Sequence, residues 1–276
     1  MRGLYRGEYD ATRKLKIMLR PTIRIRKQLA IIFLLCFFAM SLPVFAQQME
    51  QASDAGKYLQ PPSGSAPQPH DAKGSTFDWG GAVRESLYFL TIEHGLRMTQ
   101  AKTRLELKGP FFRDWGRSVA GVHGWGDGDI VFTNYIAHPL QGGVAGFIQI
   151  QNDSGGRNLE FSGSRIYWNS RLRAFGWAAL YSTQYELGPF SEASLGNVGK
   201  KWGTAGYVDL IVTPVGGFGM IVLEDALDKY VVTKLEDRTP SLNRRRLYRM
   251  AFNPERTVAN LMRGRKPWYR DARPIG

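Results

Sequence analysis

Four side chains carry whatever chemistry this chain could perform: His138, Glu186, Asp209 and Glu224. One imidazole and three carboxylates make a general acid–base set, or a ligand set for a hard metal ion. The same residues also have a structural reading. His138 could open a helix with its ring fixed by a carboxylate, Asp209 could cap another helix, and the two glutamates could pair with Arg165, Arg171 or Arg173. The sequence leaves both readings open and assigns neither a metal nor a cofactor.

Other chemistries have little support. The single cysteine, Cys36, lies in an N-terminal apolar run, so the mature chain offers neither disulfide nor thiolate ligand. Leu35 stands before it where a lipoprotein signal needs a small residue. No Gly-x-Ser-x-Gly elbow occurs, and "FSGSR" is not one. "GWGDGD", Gly124 to Asp129, looks like a calcium loop but lacks the ligand spacing and closing Glu of an EF-hand. "GGFG" at Gly216 falls inside a helical segment, not after a strand, so it is no nucleotide fingerprint.

Those candidate residues must be held by helices. Apolar periodicity predicts five: Trp79–Gln100, Phe111–Val119, His138–Asn152, Ser164–Leu187 and Asp209–Tyr230. Pro139 fits the first turn of the third, where its missing N–H costs nothing. Gly188-Pro189 closes the fourth. Gly142 and Gly146 share one face of the third, while Gly216 and Gly217 sit in the fifth. Glycine weakens a helix by about 1 kcal/mol in water, so such spacing marks seams where backbones approach closely. A polar group ends each small-residue stripe: Gln149 and Asp153, Glu186, and Glu224. The expected fold is mainly α, a compact bundle of about five tightly packed, small-residue-rich helices associated with a membrane. None of the stripe-bearing segments reads as a good transmembrane span, since the charge-free part of the fifth is only Leu210 to Leu223. An outer-membrane β-barrel is the alternative, because "FIQIQN" alternates and aromatic residues reach 12%.

Charge divides the chain. The net +13 is concentrated at its ends: residues 1–46 hold nine basic and two acidic groups, and residues 233–276 hold twelve and four. The basic stretch from Arg2 to Lys27, the apolar run from Leu29, and Val44 and Ala46 at a small-residue cleavage site predict a signal peptide over 1–46. Residues 47–76, rich in Pro, Gly, Ser and Gln, read as a flexible linker. A helical domain follows at 77–232, then a basic extension at 233–276. In that extension Arg244, Arg245 and Arg246, with Trp268 and Tyr269, suit an anionic membrane interface. The core itself is slightly acidic, so nucleic acid is no expected partner; membrane lipid or another envelope protein is.

The segments "NYIAHPLQGG", "FSGSRIYW", "YELGPFSEAS" and "YVDLIVTPVGG" occur in an order that resembles an uncharacterised family of bacterial envelope proteins, a domain of unknown function. The likeness covers Asn134 to Glu224 and carries His138, Gly142, Gly163, Ser164, Glu186, Asp209, Gly216, Gly217 and Glu224. This chain departs where Ser191 and Ser194 compete for one position, where Val208 replaces an Asn, and in the longer insertion "LGNVGKKWGTAG". The resemblance implies export to the periplasm or outer membrane and a helical fold, with no activity attached. The expected function is a structural or binding role in the envelope. The alternative is an envelope hydrolase acting on lipid or glycan through the His and carboxylate set.

Overall fold

The uncharged stretch from His138 to Gln151 forms the central helix, α3 in the numbering below. The computed structural model describes residues 77–99, 103–104, 109–196 and 206–275. The expected signal peptide and linker lie outside the described residues. The chain runs α1 (Trp79–Arg97), α2 (Phe111–Ala120), a π turn (Thr133–Ala137), α3 (His138–Gln151), α4 (Arg165–Leu187) and short α5 (Glu192–Gly196). It continues with α6 (Val208–Leu227), a second π turn (Asp228–Val232), α7 (Thr233–Asp237), α8 (Leu242–Phe252) and α9 (Pro254–Met262). The protein is mainly helical, with no strand among the described residues, so the barrel alternative finds no support.

Every residue of α3 except Leu140 is buried, because α1, α4, α6 and α9 all pack around it. A charge on a helix so enclosed would need a buried partner, and this one carries no Lys, Arg, Asp or Glu. Its glycines permit the contact. A Cβ placed on Gly142 would lie 2.0 Å from the Thr213 carbonyl oxygen, and one on Gly217 would lie 2.4 Å from the Gly142 carbonyl carbon. On Gly216 it would meet Pro139 Cγ at 2.6 Å, and on Gly146 Ile221 Cδ1 at 2.3 Å. The α3–α6 seam is therefore backbone against backbone, as the spacing predicted. Phe89, Val144, Phe147, Ile148, Ala174 and Ile221 fill the core around it.

The fifth helix outruns its expected end. A π turn carries α6 into α7, and this rod, Val208–Asp237, is the one described helix long and apolar enough to cross a membrane by length and composition. Its outer face exposes Ile211, Val215 and Leu223; α1 exposes Trp79, Val83, Leu87 and Ile92, and α4 exposes Ile166, Leu172 and Leu180.

The basic extension is corrected by the structure. It is no loose tail: α9 packs on α3 and α1, and α8 packs on α7, α9 and the second π turn. Arg249, Trp268 and Arg270 are buried. Arg246 lies over the Trp268 ring, and Arg245 Nε donates to Thr239 O at 2.8 Å. Tyr269 is half-buried. Of the residues assigned to a membrane interface, Arg244 alone is exposed. The reason is electrostatic: Asp225, Asp228 and Glu236, beyond the apolar part of α6, supply the counter-charges that draw these arginines inward.

Candidate metal centre

Three of the four candidate residues meet. His138 opens α3, Glu186 ends α4 and Asp209 lies in the first turn of α6, so three helix ends deliver them to one end of the bundle. One ligand atom from each lies within 4.8 Å of the other two. His138 and Asp209 are buried, and Glu186 is partly exposed, although its Oε1 is shielded and without a hydrogen-bond partner. Asp209 Oδ1 is likewise unpartnered.

A relay behind the imidazole fixes its tautomer. Gln141 Nε2 donates to Glu93 Oε2 at 3.1 Å, which turns the amide oxygen toward His138. His138 Nδ1–H then donates to that oxygen at 3.0 Å. Tyr181 OH donates to the same Glu93 oxygen at 2.6 Å. The Nε2 lone pair is left facing Asp209 Oδ1, 3.4 Å away and not hydrogen-bonded to it. Two acceptors at that separation need a proton or a cation between them. A second polar layer that orients a histidine in this way is the usual support of a metal ligand.

The carboxyls behave accordingly. Burial, then the hydrogen bond to Asp127, then the charge of Glu186 raise Asp209 to about 9. Burial raises Glu186 to about 8 against the pull of Arg97, with Asp127, Asp129 and Glu93 adding to the rise. Burial also raises Glu93 to about 7, although Tyr181 and Gln141 hydrogen-bond to it. His138 is lowered, chiefly by burial. Asp127 goes the other way: burial opposes ionisation, but hydrogen bonds from Asp209, the Asp129 N–H and Asn134 outweigh it. Neighbouring carboxyls pushed apart in this way share one proton, which Asp209 keeps.

Asp127 belongs to the "GWGDGD" loop, which the sequence left as a weak calcium match. Gly124 and Gly128 take positive φ, 72° and 90°, and let the loop fold back. The Tyr207 and Val208 N–H groups donate to Gly124 O and Trp125 O at 3.0 and 3.1 Å, pinning the loop to the start of α6. Asn134 Nδ2 and the Asp129 N–H hold Asp127 Oδ1. A cavity of about 20 Å³ opens beside the cluster, lined by Asp127, Glu186, Glu192, Gly206 and Asp209, which is space for about one water or ion. Glu192 pairs with Arg97 at its edge.

Glu224 is the exception. Its carboxylate accepts from the Glu255 N–H at 2.7 Å and the Arg256 N–H at 3.2 Å, so it caps α9 at the other end of α6. That is a structural role, and the four-residue constellation is corrected to three. Neither glutamate pairs with the arginines considered from sequence: Arg171 bonds Asp225, and Arg173 bonds Asp153. Ser164 caps α4 by accepting from the Tyr167 N–H, and no atom approaches a Cβ placed on Gly163. Ser191 and Ser194 cap one another reciprocally through side chain and backbone, so both are structural.

The residues missed were Asp127, Glu93, Gln141 and Tyr181. Asp127 left a signal, two Asp in a Gly-rich loop; Gln141 reads as a polar interruption of an apolar helix, Glu93 lies off the apolar face of the first helix, and Tyr181 carries no signal of its own. No family model, curated protein or solved structure matches this chain.

Proposed function

We propose that this chain is an exported, membrane-associated protein of the bacterial cell envelope that holds one divalent cation between His138, Glu186 and Asp209. The observation that carries the reading is the convergence of three donor atoms within 4.8 Å, two of them on carboxyls with unpartnered buried oxygens. A cation there would pair both carboxylates and take the imidazole lone pair, relieving the cost of burying them. The basic and apolar N-terminal layout supports export, and the resemblance over Asn134 to Glu224 supports an envelope location. The apolar outer faces of α1, α4 and α6 support contact with lipid.

Metal content of the purified mature chain after exposure to zinc tests the proposal. One ion per chain is expected, lost in His138→Ala and in Asp209→Asn while circular dichroism stays helical. Variants that keep the wild-type stoichiometry would remove the site.

The cavity beside the cluster favours a second reading, an envelope hydrolase acting on a lipid or glycan. The ion would supply Lewis acidity. Asp127 lines the same cavity beside Glu186 and Asp209, where its carboxylate could take a proton from a water held there. Asp127→Asn should then retain zinc and lose turnover of a chromogenic ester or glycoside; unchanged turnover would leave only the binding role.

A further inference from the structure

At the other end of the bundle, a cavity of about 50 Å³ opens where α6 and the chain's C-terminal segment meet the loop after α3. That is space for roughly three to five waters, the scale of a tetrahedral oxyanion. Arg157, Arg256, Arg270 and Arg273 line it. Lys229 lines it too, as do the carboxylates Glu160, Asp225, Asp228 and Asp271, but among the described residues the arginines of this region outnumber the carboxylates that pair with them. Asp225 serves both Arg171 and Arg256; Asp228 serves Arg270 and Arg273; Glu236 serves Arg249 and Arg273; Asp271 serves Arg157 and Arg263. Seven arginines thus share four carboxylates. Glu224 adds one more charge, but its oxygens are committed to backbone N–H groups. Glu255, raised by burial to about 7, is a poor counter-charge.

Two features of the lining ask for a ligand. Arg157 Nε and Arg256 Nε have no hydrogen-bond partner. Gln151 is buried, and Asn260 fixes its amide: Asn260 Nδ2 donates to Pro267 O and Tyr269 O, so its Oδ1 must accept from Gln151 Nε2 at 2.9 Å. Gln151 Oε1 then remains an acceptor without a donor. A ligand that satisfies all three carries anionic oxygens for the guanidinium groups and a hydroxyl for the amide. Hydrogen phosphate and phosphate monoesters have both.

We propose that this cavity binds a phosphate group, either free or on the headgroup of a phosphate-monoester lipid. The site is independent of the cation centre, which lies at the opposite end of α6. The surplus of arginine charge becomes part of a ligand-binding site, and the folded basic segment acquires a purpose that loose membrane attraction would not need.

Inorganic phosphate titrated into the full mature chain, with chloride at matched ionic strength as control, tests this by calorimetry and thermal melting. Saturable binding with a rise in Tm is expected for phosphate and not for chloride. Arg157→Gln should weaken phosphate at least tenfold without altering the melt in its absence, since Arg263 still serves Asp271 and Arg157 is partly exposed. Vesicles containing phosphatidic acid that compete for the site would identify the lipid headgroup as ligand; failure to compete would identify free phosphate. Equal responses to phosphate and chloride, or an Arg157→Gln chain that binds like the wild type, would overturn the proposal.

Discussion

Loading the cation centre should expel protons, and the number follows from how far burial raises its two carboxyls. Asp209 titrates at about 9 and Glu186 at about 8, so both carboxyls hold protons at pH 7 in the metal-free chain. His138, with its pKa lowered, is already neutral and contributes none. An entering ion must displace both protons, at ~1.4 kcal/mol for each pH unit between solution and pKa, or ~4 kcal/mol in all at pH 7. Apparent affinity should therefore rise about a hundredfold from pH 6 to pH 7, flatten as pH passes 8, and level off above 9. The same groups set stability with the opposite slope. Their folded pKa values stand above the unfolded ones, so their contribution is complete below about pH 4 and is lost as pH rises through 8 and 9. Glu93 and Glu255, each raised to about 7, push in the same direction. The metal-free chain should melt lower at pH 9.5 than at pH 7, and zinc should restore it. Titration of zinc into weakly buffered protein with a pH indicator counts the protons directly. Fewer than one proton per ion, or equal affinity at pH 6 and pH 8, would refute the reasoning.

Three further outcomes are expected from single substitutions. Gly142→Ala drives a Cβ against the rigid Thr213 carbonyl and should cost about 1–3 kcal/mol or more, whereas Gly146→Ala clashes with the end of the Ile221 side chain and meets Ala174 only at ordinary contact distance, so it should cost less; urea unfolding ranks them. Arg171→Gln strips a fully buried cation from Asp225, Gly156 O and Leu159 O and should cost about 3–5 kcal/mol by the same measurement. Glu224→Gln should lower the unfolding free energy by about 1 kcal/mol, since two α9 N–H groups lose a charged acceptor. Zinc binding by that variant should be unchanged, which a melt with and without the ion decides.

The seam could be read in the sequence because it depends on local spacing: Gly142, Gly146, Gly216 and Gly217 declare small side chains at helical intervals, and the fold uses each. His138, Glu186 and Asp209 were legible as chemistry-bearing residues at segment ends, but their meeting depends on how far each helix runs, which periodicity leaves loose. The fifth helix shows the limit. A π turn at Asp228–Val232 extends it with no proline or glycine to mark the event. The basic segment was misread for a different reason. Twelve cations among residues 233–276 look like a solvated surface when charge is counted along the chain, yet Arg249 is buried on Glu236, and Arg270 on Asp228 and Asn253, through pairings that only three dimensions supply. Glu224 was misassigned likewise, because its partner is a backbone helix start contributed by that same segment.

The most direct test of the cation centre is anomalous scattering from crystals of the mature chain grown with zinc. The ligand atoms lie within 4.8 Å of one another, and an ion bound at about 2.0–2.2 Å would draw them to about 3.4 Å apart, the spacing His138 and Asp209 already have. The account predicts a single peak in bonding contact with His138 Nε2, Glu186 and Asp209, with the Gln141–Glu93 relay intact behind the ring. A zinc-loaded crystal with no peak there, or with its peak at other residues, would contradict it.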